Sequence, residues 1–170
     1  GFWAATKADE LPNPNFKVSF LIRVEDVTDD VLVNVTDRMK ESDRTDSINE
    51  KIFEIIGVAT ADNHYEAKVK SFYNNNQYLL FVYETFKDVR LVGAPPHFIG
   101  KFGGDTDNWM WPRHTGDFSL FRIYCGPDGK PASFSEENIP LKPRHYLPVS
   151  LKGYQKNDFA MVMGYPGSTN

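Results

Sequence analysis

The chain has 170 residues, 41% hydrophobic and 14% aromatic, too apolar for a disordered tail and enough for one domain or part of a larger one. Lys and Arg number 19 against 23 Asp and Glu, and a formal net charge of −4 argues against nucleic acid or an anionic membrane as partner. A single cysteine, Cys125, excludes an internal disulfide framework and a CxxC zinc site, and no run of 18 apolar residues offers a membrane-spanning helix.

The chain opens on Gly1-Phe2-Trp3-Ala4, with no signal-peptide pattern, so both ends are expected to be cuts within a longer protein. Leu11-Pro12-Asn13-Pro14-Asn15 reads as a turn. Phe16 to Val24 alternates apolar and polar residues with one exception, the period of a strand. Thr28 is placed to cap a helix running to about Lys40, with Asp29 and Asp30 in its first turn. Glu41 to Ser47 is charged and short of apolar residues, and is expected to be a loop. Asp46 or Ser47 then caps a second helix, with Glu50 at the capping-box spacing from Ser47 and an apolar stripe of Ile48, Ile52, Phe53, Ile55 and Ile56. Residues 28–62 thus form a helical excursion.

From His64 the pattern is β. Two alternating runs, His64 to Tyr73 and Gln77 to Thr85, flank Asn74-Asn75-Asn76 as in a hairpin. Lys87 to Val92 is a further strand, closed by Gly93-Ala94-Pro95-Pro96. Asp117 to Tyr124 and Asp158 to Met163 also read as strands, with a proline-punctuated crossing from Pro131 to Pro148 between them. The fold class expected is mainly β with α insertions, built as an antiparallel barrel half.

Ile99 to Arg122 lacks a helix or strand period until Asp117, yet holds four glycines and two of the three tryptophans. Large aromatics in such a loop either line a binding surface or plug the end of a barrel. Asp105-x-Asp107 is no calcium loop, because Trp109 and Met110 stand where an oxygen ligand and a Gly are needed. His114 with Asp117 is too small a ligand set for a transition metal. Arg113 is expected to pair with Asp105 or Asp107, and His114 to act as a supporting donor. Cys125 is expected to be a half-buried small apolar residue and no nucleophile, and Asn34-Val35-Thr36 a chance sequon.

Asp117 follows Thr115-Gly116 and precedes an apolar strand. Most aspartates in such a position are turn formers. The triad Asp of chymotrypsin-like serine proteases has a similar setting, where its carboxylate orients the catalytic His and stabilises the imidazolium. The 23-residue block GKFGGDTDNWMWPRHTGDFSLFR, from Gly100 to Arg122, closely resembles the bacterial dipeptidyl-peptidase 7 and dipeptidyl-peptidase 11 family of serine exopeptidases. The segments Gly1–Ala4, Leu11–Asn13, Phe72–Asn74, Phe86–Pro96 and Met163–Gly167 resemble the same family in the same order, so the resemblance covers essentially the whole chain.

The resemblance implies a chymotrypsin-like double β-barrel interrupted by a helical domain. The chain would supply the later part of barrel one, the crossing and the start of barrel two, as one internal fragment of a catalytic domain. The implied activity is removal of dipeptides from peptides with free N-termini, by a periplasmic or cell-surface enzyme that needs no cofactor or metal, with a homodimeric parent as one option. By motif, Asp117 is the triad Asp, and Asn108 and Trp109 hold the substrate's N-terminal end. The family's Asn-His-His-Cys and Gly-Asn-Ser-Gly-Ser motifs, which carry His and Ser, do not occur here. The 170 residues by themselves are therefore expected to be inactive. A rival reading, a non-catalytic protease-derived module that keeps only a peptide groove, stays open at this point.

Overall fold

The computed structural model describes residues 1–101, 115–161 and 163–164. Its strands fall into two antiparallel sheets. The smaller has the order β3-β5-β4, from β3 (Val18–Asp26), β5 (Gln77–Phe86) and β4 (Glu66–Phe72). The larger is centred on β6 (Asp88–Ala94). Along one edge of β6 lie β1 (Phe2–Trp3) and β2 (Leu11–Pro12), joined by a short 3-10 turn at Lys7–Asp9. Along its other edge lies β7 (Leu120–Cys125), followed by β8 (Ile139–Pro140). Only Lys87 separates β5 from β6, so one strand path leaves the first sheet and enters the second. A strand that changes sheets makes a corner, and the corner curls the two sheets into a barrel-like half.

The hairpin forms as its pattern predicts. Phe72 pairs with Gln77, and the turn holds Tyr73, Asn74 and Asn75 at φ of 51°, 55° and 65°. Asn tolerates that left-handed region better than most residues, and Asn76 locks the turn by donating to the Tyr73 carbonyl at 2.7 Å.

The helical excursion is divided differently from the sequence expectation. The first helix, α1 (Thr28–Leu32), is one turn long and does not reach Lys40. Val33, Val35 and Thr36 are β-branched and Asn34 is a weak helix former, so nothing local extends it. Val27 is its N-cap, while the Thr28 hydroxyl donates to Asp26 at 2.6 Å and accepts from the Tyr78 N–H at 2.9 Å. The second helix, α2 (Glu41–Ala59), begins at the supposed loop, so neither Asp46 nor Ser47 is a cap. Glu41 and Asp43 suit its positive end, and the Thr45 hydroxyl folds back onto the Glu41 carbonyl at 2.9 Å.

Val27, Val31, Ala59, Tyr78, Leu80 and Val82 form a core between the small sheet and the helices, with Ile48, Ile52 and Ile55 packed on it. Alternate residues of β5 supply the sheet side. Phe53 belongs to the predicted stripe but points away and is 81% exposed.

The last expected strand is absent among the described residues. Asp158 to Met161 has an apolar strand pattern but pairs with nothing and lies exposed. A pattern alone does not satisfy a strand's backbone, which needs a neighbour's N–H and C=O groups.

Candidate active site

The approach to Asp117 starts in β6. After Ala94 the two prolines Pro95 and Pro96 stop the ladder, because Pro has no N–H to donate. One helical turn follows, α3 (His97–Gly100). Its Ile99 N–H donates to the Pro96 carbonyl at 2.9 Å, and Lys101 N–H to that of His97 at 2.9 Å. When the described chain resumes, the Gly116 N–H donates to the Ile99 carbonyl at 3.0 Å. That bond ties the segment carrying Asp117 to α3. A Cβ on Gly116 would come 3.0 Å from Ile99 Cγ2, tighter than ordinary contact. A Cβ on Gly100 would lie 3.7 Å from Asp117 Oδ1. The carboxylate therefore stands directly over a residue with no side chain.

Asp117 does not open the strand, as the sequence pattern suggests. The first paired residue of β7 is Leu120, which faces Gly93. Residues 117–119 have no strand opposite them because β6 has already turned away at the prolines. The Asp117 side chain is exposed, and among the described residues it meets no hydrogen-bond donor or cation. It can thus accept a bond from a group supplied by another segment. Asn108, Trp109, Asp105, Asp107, Arg113 and His114 lie outside the described residues.

None of His64, His97 and His145 hydrogen-bonds to Asp117. His64 has its own carboxylate: its Nε2 is 2.7 Å from Glu84 Oε1. Among the described residues no serine or cysteine hydrogen-bonds to that histidine. Glu84 also borders a cavity of about 410 Å³ shared with Phe20, Leu21, Phe86, Arg144 and His145. Cys125 is fully buried rather than half-buried, its thiol 3.6 Å from the Ile139 carbonyl, and burial pushes its pKa up, away from thiolate chemistry.

A buried polar cluster that was not anticipated from the sequence joins β6 to the far end of β7 and to the segment before β8. Arg90 grips Asp88 with two bonds, Nε to Oδ1 at 2.9 Å and Nη2 to Oδ2 at 2.7 Å. Arg90 also donates to the Ser135 carbonyl at 2.8 Å, and Asn138 donates to Asp88 at 2.8 Å. The guanidinium sits 3.7 Å from the Tyr124 ring centre and 4.8 Å from that of Phe134. Glu10 accepts from Arg122 at 2.8 Å and from the Tyr124 hydroxyl at 2.9 Å. The register places Arg90 opposite Arg122, a like-charge pair that would oppose sheet formation if each did not hold a carboxylate. Burial pushes the Asp88 carboxyl up, but the bonds from Arg90 and Asn138 and the Arg90 charge outweigh it, so Asp88 titrates below its ordinary value. Burial and the bond to Glu10 push the Tyr124 phenol up. The cluster fastens residues 10, 88–90, 122–124 and 133–138 into one block, and the chain runs from Asp117 into β7 and reaches that block at Arg122.

Comparison with known proteins adds the family context. A family model described as Peptidase S46 matches residues 1–170. An Asp/Glu-specific dipeptidyl-peptidase of Capnocytophaga gingivalis is 56% identical over 169 residues, covering 99% of this chain and 24% of that protein. A dipeptidyl-peptidase 7 of the same organism is 51% identical over 170 residues, again 24% of its length. Among solved structures, Porphyromonas endodontalis DPP11 in complex with the dipeptide Arg-Asp superposes with a TM-score of 0.76 at 41% identity, covering 90% of this chain and 23% of that one. The chain therefore spans about a quarter of the length of the curated relatives it matches and aligns with them along its whole extent.

Proposed function

Because the chain belongs to the Peptidase S46 family, we propose that it is an internal piece of the catalytic domain of a serine dipeptidyl peptidase, and that Asp117 is the parent's triad aspartate. The observation that carries this reading is the presentation of Asp117. Its carboxylate is exposed, stands over Gly100 and is tied to α3 through Gly116, within a chain matched end to end by the family. The parent's Ser attacks the carbonyl of the second peptide bond, and its His takes the proton and returns it to the leaving amine. Asp117 accepts the other imidazole N–H, fixing the tautomer and stabilising the imidazolium. Ser and His come from segments outside these 170 residues, which would complete a double barrel around the half described above. The 170-residue piece alone is inactive, since it lacks nucleophile, base and most of the cleft.

Asn108 and Trp109 hold the substrate's free amine. A charged amine gripped at a fixed distance from the Ser leaves room for two residues only, which accounts for dipeptide release. The test is Asn108→Ala in the full-length enzyme. Loss of one bond to a charged group costs about 1.5–3 kcal/mol, so kcat/KM on a peptide with a free N-terminus should fall about 10–150-fold. An N-acetylated peptide should lose little more than it has already lost. An equal loss on both peptides would remove Asn108 from the amine site.

A further inference from the structure

We infer that Trp3 is a positioning residue for the Asp117 carboxylate, bracing it through Phe118 by means of an indole laid across Gly93; this rests on the reading of Asp117 as the triad aspartate. Trp3 in β1 is paired with Gly93 in β6. A Cβ on Gly93 would lie 2.6 Å from Trp3 Cζ3 and 3.0 Å from Cδ2, so the ring fills the space that any other residue's side chain would need. An aromatic laid over a strand glycine is a known way to shield that stretch of backbone. Here it also lets a side chain from one edge of β6 reach to the other edge. There the indole meets Phe118, with ring centres 6.3 Å apart and planes tilted by 56°. Phe118 is the next residue after Asp117.

Among the described residues, the segment around Asp117 has few other restraints. Residues 117–119 lie outside the ladder, and the Gly116 N–H holds the segment on one side through Ile99. Phe118 against Trp3 holds it on the other. Two anchors on either side of one residue fix both its position and its orientation. Trp3 is 56% exposed, so the ring is no core plug and its removal forfeits little burial. Its contribution should therefore appear in the placement of the carboxylate rather than in the stability of the sheet.

The experiment uses the full-length enzyme with Trp3→Ala, Trp3→Phe, Gly93→Ala, Asp117→Asn and the double variant Trp3→Ala/Asp117→Asn. Displacing a catalytic group by about 1 Å can cost about 100-fold. Trp3→Ala should lower kcat about 10–100-fold on that scale, with KM and melting temperature nearly unchanged. Trp3→Phe should recover most of the loss, because a phenyl ring still spans Gly93. Gly93→Ala should reproduce the loss with Trp3 still present, since the new methyl displaces the ring. In the Asp117→Asn background Trp3→Ala should cost nothing further, because the group it positions is already disabled. A kcat loss that tracks a lower melting temperature, an additive double variant, or a fully active Gly93→Ala would overturn the inference while leaving Asp117 as the triad residue. Full turnover by Asp117→Asn would overturn the reading of Asp117 and this inference with it.

Discussion

Asp117→Asn in the full-length enzyme is expected to lower turnover by about 10⁴ while KM and the fold stay nearly as they were. The amide presents the wrong hydrogen-bonding face, so the imidazole adopts the unproductive tautomer. It also carries no charge to stabilise the imidazolium formed as Ser attacks. The structure favours an isolated kinetic effect. Asp117 is exposed, and among the described residues its side chain has no hydrogen bond for the change to break. Were Asp117 only a turn former, the same change would cost at most about 1–2 kcal/mol of stability and little turnover. One measurement of kcat separates outcomes that differ by orders of magnitude. Asp105→Asn and Asp107→Asn are the controls, and a comparable loss there with Asp117→Asn still active would put the catalytic carboxylate elsewhere in the loop.

Arg90→Ala should produce a large loss of stability. It leaves the Asp88 carboxylate, 1% exposed, without its bidentate partner, and stripping one member from a buried ion pair costs about 3–5 kcal/mol. Replacing both members, as in Asp88→Leu/Arg90→Met, should recover part of that loss, because no uncompensated charge stays buried. Urea unfolding of the enzyme and its variants gives both values. The pH dependence follows from the sign of the Asp88 shift. Its folded carboxyl titrates below the ordinary carboxylate value, so the stabilisation is fully present above about pH 4. It fades as the pH falls from there through the lower folded value. Arg90→Ala should flatten that acid limb, and an unchanged limb would mean that the pair does not govern acid stability.

Much of the architecture was legible because it rests on period-two pattern and turn chemistry. The ends of strands β3 to β7 all lie within three residues of those of the expected runs, and the Asn cluster marks its hairpin. The helix boundaries were misplaced for a physical reason. Hydrophobic periodicity reports only the turns that touch a core, and the first two turns of α2, Glu41 to Ser47, carry no apolar residue, with Glu41 and Asp43 at the positive end instead. The run at Asp158 fails in the opposite way: its pattern is right, but the described residues offer it no partner strand.

The family block proposes Asp117 as the site residue, yet the block could not show that Gly93, 24 positions upstream, makes room for Trp3 to reach its neighbour Phe118. The polar cluster was hidden because Glu10, Asp88, Arg122 and Asn138 are far apart in the chain. One signal was present. Asp88 and Arg90 share a face of β6, Arg122 and Tyr124 share a face of β7, and two strands with polar residues in phase are natural partners in a buried network.

The single residue Lys87 between β5 and β6 bears on how this lineage can vary in length. Side chains alternate faces along a strand, so inserting or deleting one residue at that joint would invert every position of β6 relative to β5. Asp88 and Arg90 would swing out of the cluster, and Gly93 would no longer lie beneath Trp3. The hairpin turn at 73–76 and the loop at 126–130 transmit no such parity, because each can lengthen without shifting the strands it joins. Relatives align over 169 to 177 residues against the 170 here, and those small insertions can accumulate at the turns without disturbing the corner. The corner acts as a fixed phase mark from which both sheets are counted, and an evolutionary change in chain length is neutral only where it leaves that count intact.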